Sequence, residues 1–198
     1  MYDHNTRIHN LIRGPGIAPG STYAYPWLGT NVDQAPTWLG LAGVAKPALM
    51  DGRSYAPLLL DGDDESVPAR TRAHVKALAP RGRAAFQAGW RDSAFFEYYF
   101  NRDYVSRDYQ IESSANNYVG IRHVGGEFGD TLYAEYQAGN LAEEDVDFTE
   151  VDFVEYFNLT EDSWAMDNLR DASGAAAAQQ KLHAKLHAWY ACSGDSCP

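Results

Sequence analysis

Cysteine, methionine and long apolar runs are what this 198-residue sequence has least of: two Cys, three Met, and no stretch near the roughly 18 apolar residues of a membrane-spanning helix. A membrane span is therefore not expected. The opening MYDHNTRIHN is polar and holds no apolar core, so it does not read as a signal peptide. Positive charge is also short. Sixteen Lys and Arg stand against 27 Asp and Glu, a formal net charge of −11, which repels a polyphosphate and argues against nucleic acid as a partner. No serine lies in a Gly-x-Ser-x-Gly turn, so that nucleophile arrangement is missing. Neither cysteine has a base and an oxyanion donor beside it in sequence.

What is there is globular: 45% apolar, 22% charged, with 13 Tyr, enough chain for one large domain or two small ones. Residues 7–12 read as a short strand, stopped by Gly14-Pro15-Gly16. In NVDQAPTWLGLAGV, Asp33 is placed as a helix N-cap, Pro36 falls in the first turn, Trp38, Leu41 and Ala42 share a face, and Gly43 ends the helix. A short helical or irregular piece follows around residues 55–60. From Ser66 to Arg91 there is no acid but six basic residues: Arg70, Arg72, Lys76, Arg81, Arg83 and Arg91. Residues 68–79 fit one helix there, broken at Pro80. Then β-branched and aromatic runs at 93–100, 116–124, 131–137 and 152–160, separated by turn residues, predict a four-stranded antiparallel sheet. The run SGAAAAQQKLHAKLHAWYAC predicts a closing helix with Leu182, Leu186 and Trp189 on one face. No internal repeat is present.

Several groups are candidates for chemistry. His183 and His187, four apart on that helix, share a face as half of a zinc site does, and Cys192 and Cys197 would complete a Cys2His2 set. The other reading is a surface His pair beside a small disulfide loop, since zinc-type cysteines usually lie closer together. Asp63-Asp64 and Asp167-Asn168 offer oxygens for a hard cation, but sequence alone brings them to no common place. The acidic run Glu143, Glu144, Asp145, Asp147, Glu150, Asp152 and Glu155 lacks the glycine and spacing of an EF-hand and reads as a solvated rim. His123 reads as a structural strand residue or as a group facing a pocket. The arginines Arg70, Arg72, Arg81 and Arg83 read either as a solvated helix face or as donors to the sulfate oxygens of a glycan. Asn158-Leu159-Thr160 is a glycosylation sequon with Asn158 as acceptor.

Three segments in order, LIRGPGIAPGS, NVDQAPTWLGLAGV and MDGRSYAPLLLDG, together with EYFNLTEDSWAMDNL near the end, resemble the formylglycine-dependent sulfatases in order and spacing. Ser163 stands where that family usually has Pro. The closing ACSGDSC is similar to the N-acetylglucosamine-6-sulfatase branch. The resemblance covers roughly residues 2–60 and 91–197.

The resemblance implies an α/β, alkaline-phosphatase-like fold. Residues 1–60 would be the C-terminal remnant of the large mixed-sheet domain and 61–90 a basic linker or insertion. Residues 91–198 would be the C-terminal subdomain, with a four-stranded antiparallel sheet and a helix. It places residues 7–12 as a late strand of the large sheet, with the helix at 33–43 packed against it. Cut from that sheet, the N-terminal part is expected to fold poorly. It also implies a mutual Cys192–Cys197 disulfide. The family's chemistry uses a cysteine in Cys-x-Pro-Ser-Arg, converted to formylglycine, whose hydrated aldehyde attacks the ester sulfur while calcium held by Asp and Asn stabilises the sulfate. Here Cys192 is followed by Ser-Gly-Asp and Cys197 by Pro198. No catalytic or metal-binding residue carries over, and no calcium is expected on this chain. The expected role is the C-terminal part of a secretory-pathway sulfatase, lysosomal or extracellular, acting on sulfated amino sugars of glycosaminoglycan type. The alternative is a non-catalytic sulfated-glycan-binding or structural remnant.

Overall fold

The computed structural model describes residues 2–21, 28–99, 116–138 and 146–198. Glu143, Glu144 and Asp145 of the acidic run, and the last residue of the strand expected at 93–100, lie outside them. Among the described residues are the helices α1 (Asp3–Thr6), α2 (Gln34–Leu41), α3 (Ala56–Leu59), α4 (Ala69–Leu78), α5 (Arg83–Ala88) and α6 (Ala175–Tyr190). The strands are β1 (Ser93–Tyr98), β2 (Tyr118–His123), β3 (Thr131–Gln137) and β4 (Val151–Asn158). They fall into two compact units: His9–Asp92 with Ala191–Pro198, and Met1–Ile8 with Ser93–Tyr190.

The first unit is helical. Its core gathers Tyr55, Ala56, Leu58, Leu59 and Leu60 with Val67 and Val75, and Ile12, Leu41, Phe86 and Trp90 pack against it. Residues 61–90 thus supply Val67, Val75, Phe86 and Trp90 to the same core as α3. Residues of the His9–Asp92 stretch build this core among themselves. Residues 7–12 form no strand. A strand needs a neighbour to take its N–H and C=O groups, and the four described strands pair only with one another. Leu11 instead stands 94% exposed, while Asn10 Nδ2 donates to Tyr55 Oη at 3.0 Å.

Helix α2 also turns a different face inward from the one expected. Pro36, Thr37 and Gly40 are buried, and Trp38 is 64% exposed. Thr37 Oγ1 donates to the Asp33 carbonyl at 2.7 Å and accepts from Tyr55 N at 3.0 Å, which locks the helix to the start of α3. A Cβ at Gly40 would come within 2.5 Å of Ser54 Oγ, so the small residue permits that approach. Small and polar residues face inward here, and apolar periodicity does not register them.

Asp33 precedes α2, but its side chain does not cap that helix. Fully buried, it accepts from Thr30 N at 2.9 Å, Thr30 Oγ1 at 3.0 Å, Arg53 N at 2.7 Å and Arg91 Nη1 at 2.5 Å. A carboxylate removed from water is tolerated only when paired and hydrogen-bonded, and Asp33 is both. The Arg91 guanidinium lies 5.1 Å from the Trp90 ring centre.

At the C-terminus, Cys192 and Cys197 are bonded to each other with an S–S distance of 2.01 Å. The loop they close is held to residues 46–51. Gly194 N donates to Asp51 Oδ1 at 2.5 Å, and Lys46 Nζ meets Asp195 Oδ1 at 2.6 Å. Gly194 has φ 59°, and a Cβ there would lie 2.1 Å from the Ala48 carbonyl oxygen, so no other residue fits without moving backbone.

The second unit is an antiparallel meander in the order β1-β2-β3-β4, with α6 against one face. That face carries Val119 and Ile121 from β2 and Tyr133 and Glu135 from β3, since side chains alternate and Val119 pairs with Glu135 and Ile121 with Tyr133. Leu182 and Leu186 of α6 are fully buried, and Trp189 stacks on Phe95 with centroids 6.4 Å apart. The opposite face buries Leu132, Phe157, Leu159 and Ala165 with Phe96. The Phe96 ring lies over Gly120, where a Cβ would meet it at 2.2 Å, which accounts for a glycine in mid-strand. Arg122 joins this unit's N-terminal helix to the β2–β3 turn, through Asp3 at 2.8 Å and Asp130 at 2.7 Å.

The burial of Asp33 sets a first expectation. Asp33→Ala removes the acceptor of four donors and leaves the buried Arg91 charge without its carboxylate. The His9–Asp92 unit should lose roughly 3–5 kcal/mol of stability. Denaturant unfolding followed by Trp90 fluorescence measures it, and a loss below about 1 kcal/mol would show that the pair does not hold this unit together.

Candidate functional site

Glu135 is the most deeply placed carboxylate of the sheet unit, 1% exposed in the middle of β3. It points toward α6, where His183 and His187 flank the apolar stripe of Leu182 and Leu186. Helical spacing of four puts both imidazoles on one face, with ring centres 4.1 Å apart. His183 Nδ1 lies 2.6 Å from Glu135 Oε1, and His187 Nε2 lies 2.8 Å from Oε2. The Tyr133 hydroxyl donates to Oε1 at 2.7 Å. Burial, followed by the Glu135 hydrogen bond and charge, pushes the Tyr133 phenol above its ordinary range, so it remains a donor.

Glu135 therefore sits between two imidazole nitrogens and one phenol. The histidines are partly open, His183 about half exposed and His187 about a third. Beside them lies a cleft of about 420 Å³, bordered by Val146–Thr149 and Tyr190. Asp147, on its rim, is fully solvated, and its carboxyl is held below the usual range by hydrogen bonds from Thr149 Oγ1 and N at 2.7 and 2.8 Å.

The structure sorts the candidates read from sequence. The paired histidines share a face, but both sulfurs are committed to the disulfide, so the Cys2His2 set is corrected: the third partner is Glu135. The signal for Glu135 was a single acid in the apolar run TLYAEYQ, at a position two residues from Tyr133 and so on the same face. His123 is structural. It is 1% exposed, its Nε2 lies 3.0 Å from the Gly125 carbonyl, and its ring packs edge-on to Phe128.

The hard-cation candidates are dispersed. Asp63 is paired with Lys76 at 2.6 Å and Asp64 Oδ1 accepts from Ser66 N at 2.8 Å. Asn168 ties β4 to the following turn, accepting from Tyr156 N and Arg170 N and donating to the Val154 carbonyl. Calcium takes about six to eight oxygen ligands. Among the described residues the group of three convergent ligands is Glu135, His183 and His187, which is rich in nitrogen and does not fit that ion.

Three of the four arginines considered as glycan donors turn toward backbone. Arg70 Nε donates to the Gly43 carbonyl at 3.0 Å, Arg72 Nη1 to those of Val67 at 2.8 Å and Glu65 at 3.2 Å, and Arg83 Nη2 to that of Leu58. Arg81 is exposed. Asn158 ends β4, and its Oδ1 accepts from Thr160 N at 3.1 Å.

Tyr133→Phe removes one donor to a buried charge without changing the ring. Hydrogen bonds to charged groups contribute about 1.5–3 kcal/mol, and the sheet unit should lose that much in a denaturant titration. A change under about 0.5 kcal/mol would mean that the phenol does not support Glu135.

No protein-family model matches the chain. Among curated proteins it is similar to the goat (Capra hircus) N-acetylglucosamine-6-sulfatase, with 25% identity over 213 aligned positions that take in 100% of this chain and 32% of the relative. It is also similar to the extracellular sulfatase SULF-1 homolog of Drosophila melanogaster, 48% identical over 59 residues, which are 30% of this chain and 5% of the relative. A solved protein in complex with its substrate D-glucosamine-2-N,6-O-disulfate aligns at 24% identity and a TM-score of 0.47, covering 79% of this chain and 23% of that one. The chain thus spans about a third or less of the length of these relatives. The chain is similar in sequence to these sulfatases over part of their length.

Proposed function

We propose that this chain is the C-terminal part of a sulfuric ester hydrolase that acts on sulfated amino sugars of glycosaminoglycan type, N-acetylglucosamine-6-sulfate among them. The observation that carries the reading is the similarity to an N-acetylglucosamine-6-sulfatase over the whole of this chain. On this reading the residues of this chain are scaffold. Both cysteines are closed in a disulfide, so neither is a formylglycine precursor. Among the described residues the convergent donor set, Glu135 with His183 and His187, does not suit calcium. The nucleophile and the calcium ligands belong to residues outside this sequence.

The same reading assigns residues 1–60 to the end of the large domain, 61–90 to an insertion relative to the family, and 91–198 to the C-terminal subdomain. It places the protein in the secretory pathway, lysosomal or extracellular. A disulfide is kept in such oxidising compartments, and Asn158, half-buried at the end of β4, is the glycan acceptor of this reading. A second reading, non-catalytic recognition of sulfated glycan, draws on Arg81, whose exposed guanidinium makes no hydrogen bond to a described residue. Arg70, Arg72 and Arg83 serve it less well, because they spend donors on carbonyls.

Sequencing the full transcript that encodes the chain tests the first reading. An in-frame Cys-x-Pro-Ser-Arg or Cys-x-Ala-Ser-Arg ahead of Tyr2 is the expected result. A reading frame with no such motif would overturn it and leave the glycan-binding reading.

A further inference from the structure

We propose that Glu135, His183 and His187 bind one zinc ion, or a similar first-row divalent metal, clamping α6 to β3. The inference rests on the geometry of these three side chains and is independent of the hydrolase reading above.

Their ligand atoms, two ring nitrogens and a carboxylate oxygen, all lie within 4.8 Å of one another. A tetrahedral zinc ion holds nitrogen and oxygen ligands at about 2.0–2.2 Å, so its ligand atoms stand about 3–3.5 Å apart. The 2.6 and 2.8 Å contacts between imidazole and carboxylate need to open by only several tenths of an ångström. Rotation of the histidine rings, His183 about half exposed and His187 about a third, supplies that. The donor chemistry selects the ion: two imidazoles with one carboxylate suit zinc, cobalt or nickel, whereas calcium and magnesium prefer oxygen alone.

Three further features fit a metal. Glu135 comes from a central strand and the histidines from one helical face, so secondary structure fixes all three backbones. Tyr133 Oη bonds to Glu135 Oε1 at 2.7 Å, as a group that orients a ligating carboxylate does. The histidine side faces the cleft of about 420 Å³, which gives an ion a way in and leaves its fourth position to water. A three-ligand zinc with one open position also polarises that water.

The full chain, stripped of metal by chelator and then dialysed against zinc, should retain one zinc per chain. Cobalt in its place should give the visible bands of a tetrahedral nitrogen-and-oxygen site. His183→Ala with His187→Ala should abolish both, and Tyr133→Phe should weaken binding about 10–100-fold at unchanged stoichiometry. Far-UV circular dichroism checks that the double variant is folded. If it is not, modification of wild-type histidines by diethyl pyrocarbonate decides: zinc should protect His183 and His187 but not His4, His9 or His74. No zinc retained by the folded wild type, equal retention by the folded double variant, or equal protection of all histidines would overturn the assignment.

Discussion

A carboxylate that water cannot reach must be answered by the protein, and the sheet unit is organised about one that is. Glu135 sits at 1% exposure under α6, so the helix cannot be apolar along its whole contact face. Its inner stripe of Leu182, Leu186 and Trp189 supplies the hydrophobic burial, and the two histidines beside that stripe answer the charge. The arrangement fixes both the rotation and the register of the helix on the sheet. A slip of one helical residue would carry both imidazoles off the carboxylate and expose a leucine.

The helical unit solves the same problem differently. Asp33 meets Arg91, two donors of Thr30 and the backbone of Arg53, which draws residues 30, 33, 53 and 91 to one point. Short helices of four to ten residues are marginal alone. Here a shared apolar core and this buried ion pair hold them, and arginines from the basic segment tie loops down by their carbonyls. The segment that looked like a charged surface in sequence is therefore largely structural on this unit.

How much of this was legible in the sequence follows from which physical signals are local. The four strands and the closing helix were read nearly to their ends, because alternation and aromatic content are properties of short windows. The Cys192–Cys197 disulfide was one of two readings of that pair, the other being a zinc set with His183 and His187, and the structure has the disulfide. The strand at residues 7–12 was misread, since a strand depends on a partner that apolar residues alone do not guarantee. The inward face of α2 was misread too, because Thr37 and Gly40 are buried for a hydrogen bond and a close approach, neither of which hydrophobic patterning reports. The pairing of His183 with His187 was visible, but Glu135 lies 48 residues from His183 and only the fold brings them together.

Among the described residues the chain supplies packing, two buried carboxylates with their partners and a nitrogen-rich ligand set, and its sequence is similar to sulfatases over part of their length. The most direct measurement is hydrolysis of N-acetylglucosamine-6-sulfate and of an aryl sulfate by the purified 198-residue chain with calcium supplied. The account predicts no turnover above a heat-denatured control. Calcium-dependent sulfate release by this chain alone would contradict it.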